Sequence, residues 1–340
     1  MRRRGITVLV GAVLLAVLLV SIARVKVPYV EMGPGSTFDT LGQSQNRPII
    51  TVSGAPTSKS TGELRLVTID VIDGLTLAQA MRSWWSSDYA VVPRELIYPP
   101  DQSRTEVQER DAEDFRESQS TAETAALREL GYPIEVTING LTADGPAAAQ
   151  LKVGDILVSV DGTPVDNGDR LAELIRAKPA GTAREVTYRR DGQTATVTLT
   201  PVRAEDGNPR LGVQVKNVQP HPFELKIELD RIGGPSAGLM FALAIIDLLK
   251  PEDLTGGFVI AGTGTIAADG KVGRIGGISH KLVSAKKAGA KLFLTPAANC
   301  ADAVANAQPG LPLAKVETLD DALAAVEALR QKRTPVLCPS

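Results

Sequence analysis

Gly233-Gly234-Pro235-Ser236-Ala237-Gly238, followed 45 positions after its serine by Lys281 within Gly276-Gly277-Ile278-Ser279-His280-Lys281, decides how this chain is read. A serine hydroxyl is a weak nucleophile until a neighbouring base takes its proton. The 340 residues include only two histidines, His221 between Pro220 and Pro222 and His280 beside Lys281, so a Ser-His-Asp triad has little to draw on. A Ser236–Lys281 pair is the economical reading. Pro235 precedes an expected helix from Ser236 to Leu249, and the start of a helix offers unpaired N–H groups and a positive dipole end. The backbone amides of Gly234, Ser236 and Ala237 are therefore candidate donors to a developing oxyanion. A plain helix start capped by Ser236 fits the same residues equally well.

Lys281 bears on that choice. Ser279 can cap a helix that runs to Lys287 and stops at Gly289, and on it Lys281 shares a face with Ile278, Ala285 and Ala288. Lys286 and Lys287 point toward solvent. A lysine on an apolar helix face is costly unless neutral or paired, and desolvation lowers its pKa toward the working range of a general base. A lysine whose stem lies along the surface with its head in water is the open alternative.

The N-terminus runs Met1-Arg2-Arg3-Arg4 and then without charge from Ile6 to Ala23, closed by Arg24 and Lys26. Some 18 uncharged, mainly apolar residues approach the thickness of a bilayer, and the basic-side rule would leave the N-terminus in the cytoplasm and everything from about Val27 outside. A cleavable signal peptide ending near Ser21 and Ala23 competes with this anchor. The net charge is −2 with both signs interspersed, so no basic stripe suggests a nucleic-acid partner. Two cysteines and two scattered histidines supply no metal-ligand spacing. Cys300 and Cys338, in the region placed outside the cytoplasm, could form a disulfide that staples the C-terminal tail, or remain two thiols. Gly264-Thr265-Ile266-Ala267-Ala268-Asp269-Gly270-Lys271-Val272 looks like a phosphate loop, but Val272 stands where a magnesium-binding Ser or Thr is needed, so a hairpin turn is expected.

Between the ends, Gly62 to Val71 alternates as a strand does, and Asp73 to Trp85 reads as a short helix. Trp84-Trp85 is expected to pack rather than to form a binding box. Asp101 to Glu117, densely charged with both signs, reads as a solvated helix or linker. The run Gly145-Pro146-Ala147-Ala148-Ala149-Gln150-Leu151-Lys152-Val153-Gly154-Asp155-Ile156-Leu157-Val158-Ser159-Val160-Asp161-Gly162 combines a short helix, a turn into a strand and a tight hairpin. At these residues the stretch resembles a bacterial PDZ domain, a module that binds an extended peptide by adding it to a sheet edge. The resemblance implies a carboxylate-binding loop and edge strand at Leu130, Gly131, Tyr132 and Ile134 to Val136, and a groove helix at Leu171 to Ala177. A rigid spacer that binds nothing is the alternative.

Ile232 to Gly238, Gly262-Thr263-Gly264, Gly270-Lys271-Val272, Ile275-Gly276-Gly277, Lys281, Ala285 and Ala288-Gly289 together resemble the proteolytic domain of Lon-type serine proteases. With the anchor and the PDZ-like stretch, the chain resembles membrane-anchored, PDZ-containing Lon-like proteases of bacteria. The resemblance implies Ser236 as nucleophile, Lys281 as general base and Thr263 as the residue that orients the lysine amine. The family usually carries an aspartate, two positions after a lysine, where this chain has Gly233; that departure puts in doubt an acidic role there and leaves the Ser236–Lys281 pair intact. The family's ATPase domain has no counterpart in the sequence.

The expected fold class is an α/β (α+β) Lon-type proteolytic domain plus a mainly β PDZ-like domain with one N-terminal transmembrane helix. The expected divisions are a cytoplasmic segment 1–5, an anchor 6–24, an α/β region 27–121 serving the protease domain, a PDZ-like domain 122–203, the proteolytic domain 208–330 and a tail 331–340. The expected activity is ATP-independent endopeptidase cleavage of unfolded or flexible extracytoplasmic or membrane-proximal proteins, with the PDZ-like domain selecting substrate. No cofactor, metal, ATP or nucleic acid is expected. The expected partners are protein or peptide substrates and the bacterial membrane, and assembly into a homo-oligomer is compatible with the sequence. A non-proteolytic, membrane-anchored PDZ scaffold with a relic protease domain is the alternative.

Overall fold

The computed structural model describes residues 2–229 and 232–339. Met1 of the segment 1–5, Asp230 and Arg231 of the block 208–330, and Ser340 of the tail lie outside the described residues, as do the side chains of residues 2–5 and 8. The chain forms two compact units, one assembled from Met1–Ala126 and Leu225–Ser340, the other from Leu127–Glu224.

The first piece of chain contributes helix α1 (Arg2–Ala23), strands β1 (Tyr29–Asp39) and β2 (Glu63–Asp73), helix α2 (Leu77–Trp84), strand β3 (Ala90–Pro93) and helix α3 (Arg104–Glu129). A membrane span needs about 20 consecutive apolar residues to cross roughly 30 Å of hydrocarbon. Among the described residues no helix is long and apolar enough to cross a membrane. The expected anchor at 6–24 is therefore corrected. With it go the transmembrane element of the fold class, the single-pass placement with its cytoplasmic N-terminus and extracytoplasmic catalytic domain, and the argument for the membrane as partner.

Helix α2 begins later than expected because Thr76 closes a capping box with Gln79. Trp84 and Trp85 are 76% and 78% exposed rather than packed. The charged segment is no linker: it is the start of α3, whose Val107, Phe115, Ala122 and Ala125 are buried.

The Leu127–Glu224 unit carries strands β4 (Glu135–Leu141) and β5 (Ile156–Val160), helix α4 (Gly168–Arg176), and strands β6 (Arg184–Arg190), β7 (Gln193–Leu199) and β8 (Val213–Val218). All neighbours pair antiparallel, in the order β7-β6-β5-β4-β8. The hairpin expected at Asp161-Gly162 is present, with both residues at positive φ and Val160 paired to Thr163. Val136, Ile138, Leu157, Val160, Val186 and Leu199 from the strands pack with Leu171 and Ile175 of α4 to make this unit's core. The unit continues past residue 203 because β8 joins the sheet beside β4.

The returning chain adds helix α5 (Gly238–Leu249), strands β9 (Val259–Gly262), β10 (Thr265–Ile266) and β11 (Val272–Gly273), helix α6 (Ile278–Lys287), strand β12 (Leu292–Pro296), helix α7 (Cys300–Ala305), strand β13 (Leu313–Val316) and helix α8 (Leu319–Arg330). The main sheet runs β13-β12-β9-β2-β1-β3, parallel from β13 to β2 and antiparallel at β1 and β3. Neither piece of chain makes this sheet alone. A helix apolar on all sides must be buried, and α5 is buried from Gly238 to Asp247. Asp247, fully buried within it, accepts hydrogen bonds from Ser60 Oγ (2.5 Å) and Leu254 N (2.8 Å).

Two boundaries differ from expectation. Helix α5 starts at Gly238, not Ser236, leaving the serine in the turn before it. Helix α6 is capped by Gly277 at φ 68°, not by Ser279, because the residue at the cap must turn left-handed, which glycine does without strain. The stretch resembling a phosphate loop is the β10–β11 hairpin, closed by Ala267 N–H donating to Lys271 O (2.9 Å).

Cys300 and Cys338 are joined by a disulfide that closes a loop of 38 residues and brings the tail onto β13, where Cys338 N–H donates to Leu313 O (2.9 Å). A loop of that length implies a contribution of about 4 kcal/mol in the chain-entropy model. Replacing both cysteines by serine should lower the unfolding free energy by about 2–4 kcal/mol, read as a lower guanidinium midpoint with a slope no smaller than the parent's, since the released loop exposes more surface on unfolding.

Candidate active site

Helix α6 presents Ile278, Lys281, Leu282 and Ala285 to the main sheet, while Lys286 and Lys287 are exposed. Lys281 is only 2% exposed. Its Nζ lies 2.7 Å from Ser236 Oγ and 2.9 Å from Thr263 Oγ1, donating to both oxygens. Thr263 Oγ1 donates in turn to Ser236 O (3.0 Å), and Gly264 N–H donates to the same carbonyl (2.9 Å). Thr263 follows directly on β9, so the sheet, the serine turn and α6 meet at three side chains. Burial pulls the Lys281 amine from the usual 10.5 down to about 7. No carboxylate among the described residues pairs with it, so only hydroxyl oxygens face the amine.

The other sequence candidates fall as follows. Ser236 is half-buried at the mouth of a cleft of about 1070 Å³ lined by residues of β1, β2, α3, the serine turn and α6. Gly234 is not available as an oxyanion donor, because its N–H donates to Asp111 O of α3 (2.7 Å). The candidate amides are thereby narrowed to Ser236 and Ala237. His280 Nδ1 lies 2.9 Å from Asp88 O and takes no part in the Ser236–Lys281 contact, and His221 belongs to the other unit, packed against Phe223. Among the described residues no group of three or more His, Cys, Asp or Glu is arranged to hold a metal ion.

The peptide-binding edge expected at Leu130, Gly131, Tyr132 and Ile134 is not there. These residues form the turn that ends α3 and the lead into β4, and β4 lies between β5 and β8, so both its edges are already hydrogen-bonded. The strand at the edge of this sheet beside α4 is β8: Gly168 N–H donates to Asn217 Oδ1 (3.0 Å), and Val213 and Val215 pack toward the core that α4 shares. The alternating run Leu211-Gly212-Val213-Gln214-Val215 carries the sequence signal for this strand. Sequence reasoning allowed a solvated helix at Asp101 to Glu117 but missed that the helix runs on to Glu129 and that its Asp111 and Ser118 hold the serine turn.

Comparison with known families places this geometry. Residues 231–329 match the Lon protease (S16) C-terminal proteolytic domain, and residues 106–200 match the PDZ domain. The chain thus carries a PDZ domain and a Lon-type serine protease domain. Among its relatives, the mitochondrial Lon protease homologue of Eremothecium gossypii is 43% identical over 93 residues, covering 26% of this chain and 8% of that protein. Lon protease 1 of Sorangium cellulosum is 37% identical over 133 residues, covering 38% of this chain and 16% of its own length. Lon protease of Koribacter versatilis is 27% identical over 190 residues, covering 53% and 23%. This chain therefore spans less than a quarter of the length of each.

The buried amine makes a signed prediction. The folded-state pKa is below the unfolded value, so between about 7 and 10.5 the unfolded chain binds more protons and stability rises with pH. Below about pH 7 the charged, buried amine destabilises the fold in full. Lys281→Met should therefore melt higher than the parent chain at pH 6, and the gap should narrow on going to pH 10, as followed by circular dichroism.

Proposed function

We propose that this chain is a serine endopeptidase that needs no ATP, with Ser236 as nucleophile and Lys281 as general base. The observation that carries the reading is the 2.7 Å contact between Ser236 Oγ and an amine whose pKa is lowered by burial to about 7. Near neutral pH a large share of that amine is unprotonated, so its lone pair can accept the Ser236 proton across the same contact. Thr263 orients the amine by accepting one of its N–H bonds.

The reaction runs as acyl transfer. Lys281 takes the proton as Ser236 Oγ bonds to the carbonyl carbon of the scissile peptide, and the carbonyl electrons move to an oxyanion held by the N–H groups of Ser236 and Ala237. The C–N bond breaks as Lys281 returns the proton to the leaving amine. Water then attacks the acyl-serine with Lys281 again as base, releasing the acid and restoring the hydroxyl.

The substrate is an unfolded or flexible polypeptide segment. Strand β2 pairs with β9 only from Glu63 to Leu66, because β9 ends at Gly262. Glu63 N–H donates to Phe258 O on that side and the register carries this ladder to Val67, so the alternating residues Ile69 and Val71 turn their N–H and C=O groups to the same side beyond the end of β9, where they line the cleft. An extended chain can add there as a strand beside Ser236. A folded domain cannot enter in that conformation. The PDZ domain selects or presents such segments through the β8–α4 edge.

Degradation of labelled casein by the full chain without ATP is the direct test. Ser236→Ala and Lys281→Met should each reduce it by at least about 10³-fold, with activity in the parent chain rising through a midpoint near pH 7. Activity that survives either substitution overturns the assignment. Methylating two alternate backbone nitrogens of a model peptide should lower kcat/KM by about 10-fold, the loss expected for two strand hydrogen bonds.

A further inference from the structure

Helix α3 grips the serine turn along one face. Asp111, Phe115 and Ser118 stand at helical spacing and so project from the same side. Asp111 O accepts the Gly234 N–H (2.7 Å), Phe115 meets the ring of Phe241 in α5 edge-on with centroids 5.7 Å apart, and Ser118 Oγ donates to Pro235 O (2.9 Å). Ser118 is 4% exposed. The approach is close enough that any side chain at Gly238 would meet Ser118 Oγ at 2.9 Å, so only glycine lets the turn lie this near the helix.

The consequence follows from the planarity of the peptide bond. In a trans peptide the C=O and N–H point in opposite directions, and the described chain holds no cis peptides. The Ser236–Ala237 peptide is fixed by its carbonyl, which accepts from Thr263 Oγ1 and Gly264 N. The preceding Pro235–Ser236 peptide is fixed by its carbonyl too, and the side chain that holds it is Ser118. With Pro235 O turned to α3, the Ser236 N–H faces away from α3.

We propose that Ser118 is a positioning residue for proteolysis: by holding the Pro235 carbonyl it sets the plane of the Pro235–Ser236 peptide and aims the Ser236 N–H at the oxyanion. The proposal rests on the Ser236–Lys281 reading. It assigns to a stretch outside the Lon-type match a part in the site, since Ser118 lies far before residue 231. A misaimed donor weakens binding of the tetrahedral state but leaves the ground-state peptide and the lysine amine untouched, so the deficit falls on kcat alone.

The test compares the full chain with Ser118→Ala, Ser118→Thr and, as a control on the same helix, Thr121→Ala, using ATP-free hydrolysis of a flexible fluorogenic peptide. Ser236→Ala supplies the background. Ser118→Ala should lose about 10- to 100-fold in kcat, with KM within twofold and the pH midpoint unmoved. It should lose affinity for a peptide boronate, a mimic of the tetrahedral state, by the same factor. Ser118→Thr, which keeps the hydroxyl, should recover most of the loss, and Thr121→Ala should match the parent. A Ser118→Ala kcat within threefold of the parent overturns the proposal alone, as does a loss equal to the unfolded fraction seen by circular dichroism. A parent chain with no activity above the Ser236→Ala background overturns the proteolytic reading and this proposal together.

Discussion

A lysine amine held at 2% exposure with hydroxyl oxygens for company is the constraint around which the Ser236 site is arranged. An ammonium in that position would lack both water and a counter-charge, a cost of several kcal/mol that proteins avoid by releasing the proton. Burial does so here without any charged neighbour, by making the charged form expensive. Ser236 and Thr263 satisfy the amine in either state, because a hydroxyl can both donate and accept. A carboxylate at the same distance would stabilise the ammonium and defeat the arrangement.

Burying that amine requires walls on several sides, and these explain why the unit is built from two distant pieces of chain. Helix α6 brings Lys281 from one side, β9 and the residue after it bring Thr263 from another, and α3 closes on the serine turn from a third. Strands β1 and β2, from the N-terminal piece, continue the sheet past the end of β9. The shortness of β9 has a double effect. It leaves room for the serine turn and leaves the edge of β2 unpaired where the cleft opens. Cleft and serine turn are thus two results of one strand ending early.

The PDZ domain illustrates how a local pattern can be right in kind and wrong in place. Leu130 to Val136 has the look of a loop feeding an edge strand, yet β4 is an inner strand, because the chain returns some 75 residues later to lay β8 against it. A strand's own residues determine which face is buried. They do not determine which neighbour, if any, pairs with its edge. The same limit applied to Gly234, whose N–H reads as free beside the serine and is taken by Asp111 from a distant helix.

What the sequence determined by itself was local and periodic. The helical phase of Lys281 and the hairpin at Asp161-Gly162 follow from spacings of a few residues, and both are where their patterns placed them. Lys281 could be assigned to an apolar face, but whether its head reached water stayed open, since a face is not a depth. Only the tertiary structure decided that Nζ sits 2.7 Å from Ser236, that Thr263 completes the contact, and that Ser118 holds the turn. It also decided against the long apolar anchor that the N-terminal composition suggested. The physical reason is common to these cases: burial and hydrogen-bond partners are properties of what packs against a residue, and those neighbours come from parts of the chain that local spacing does not relate.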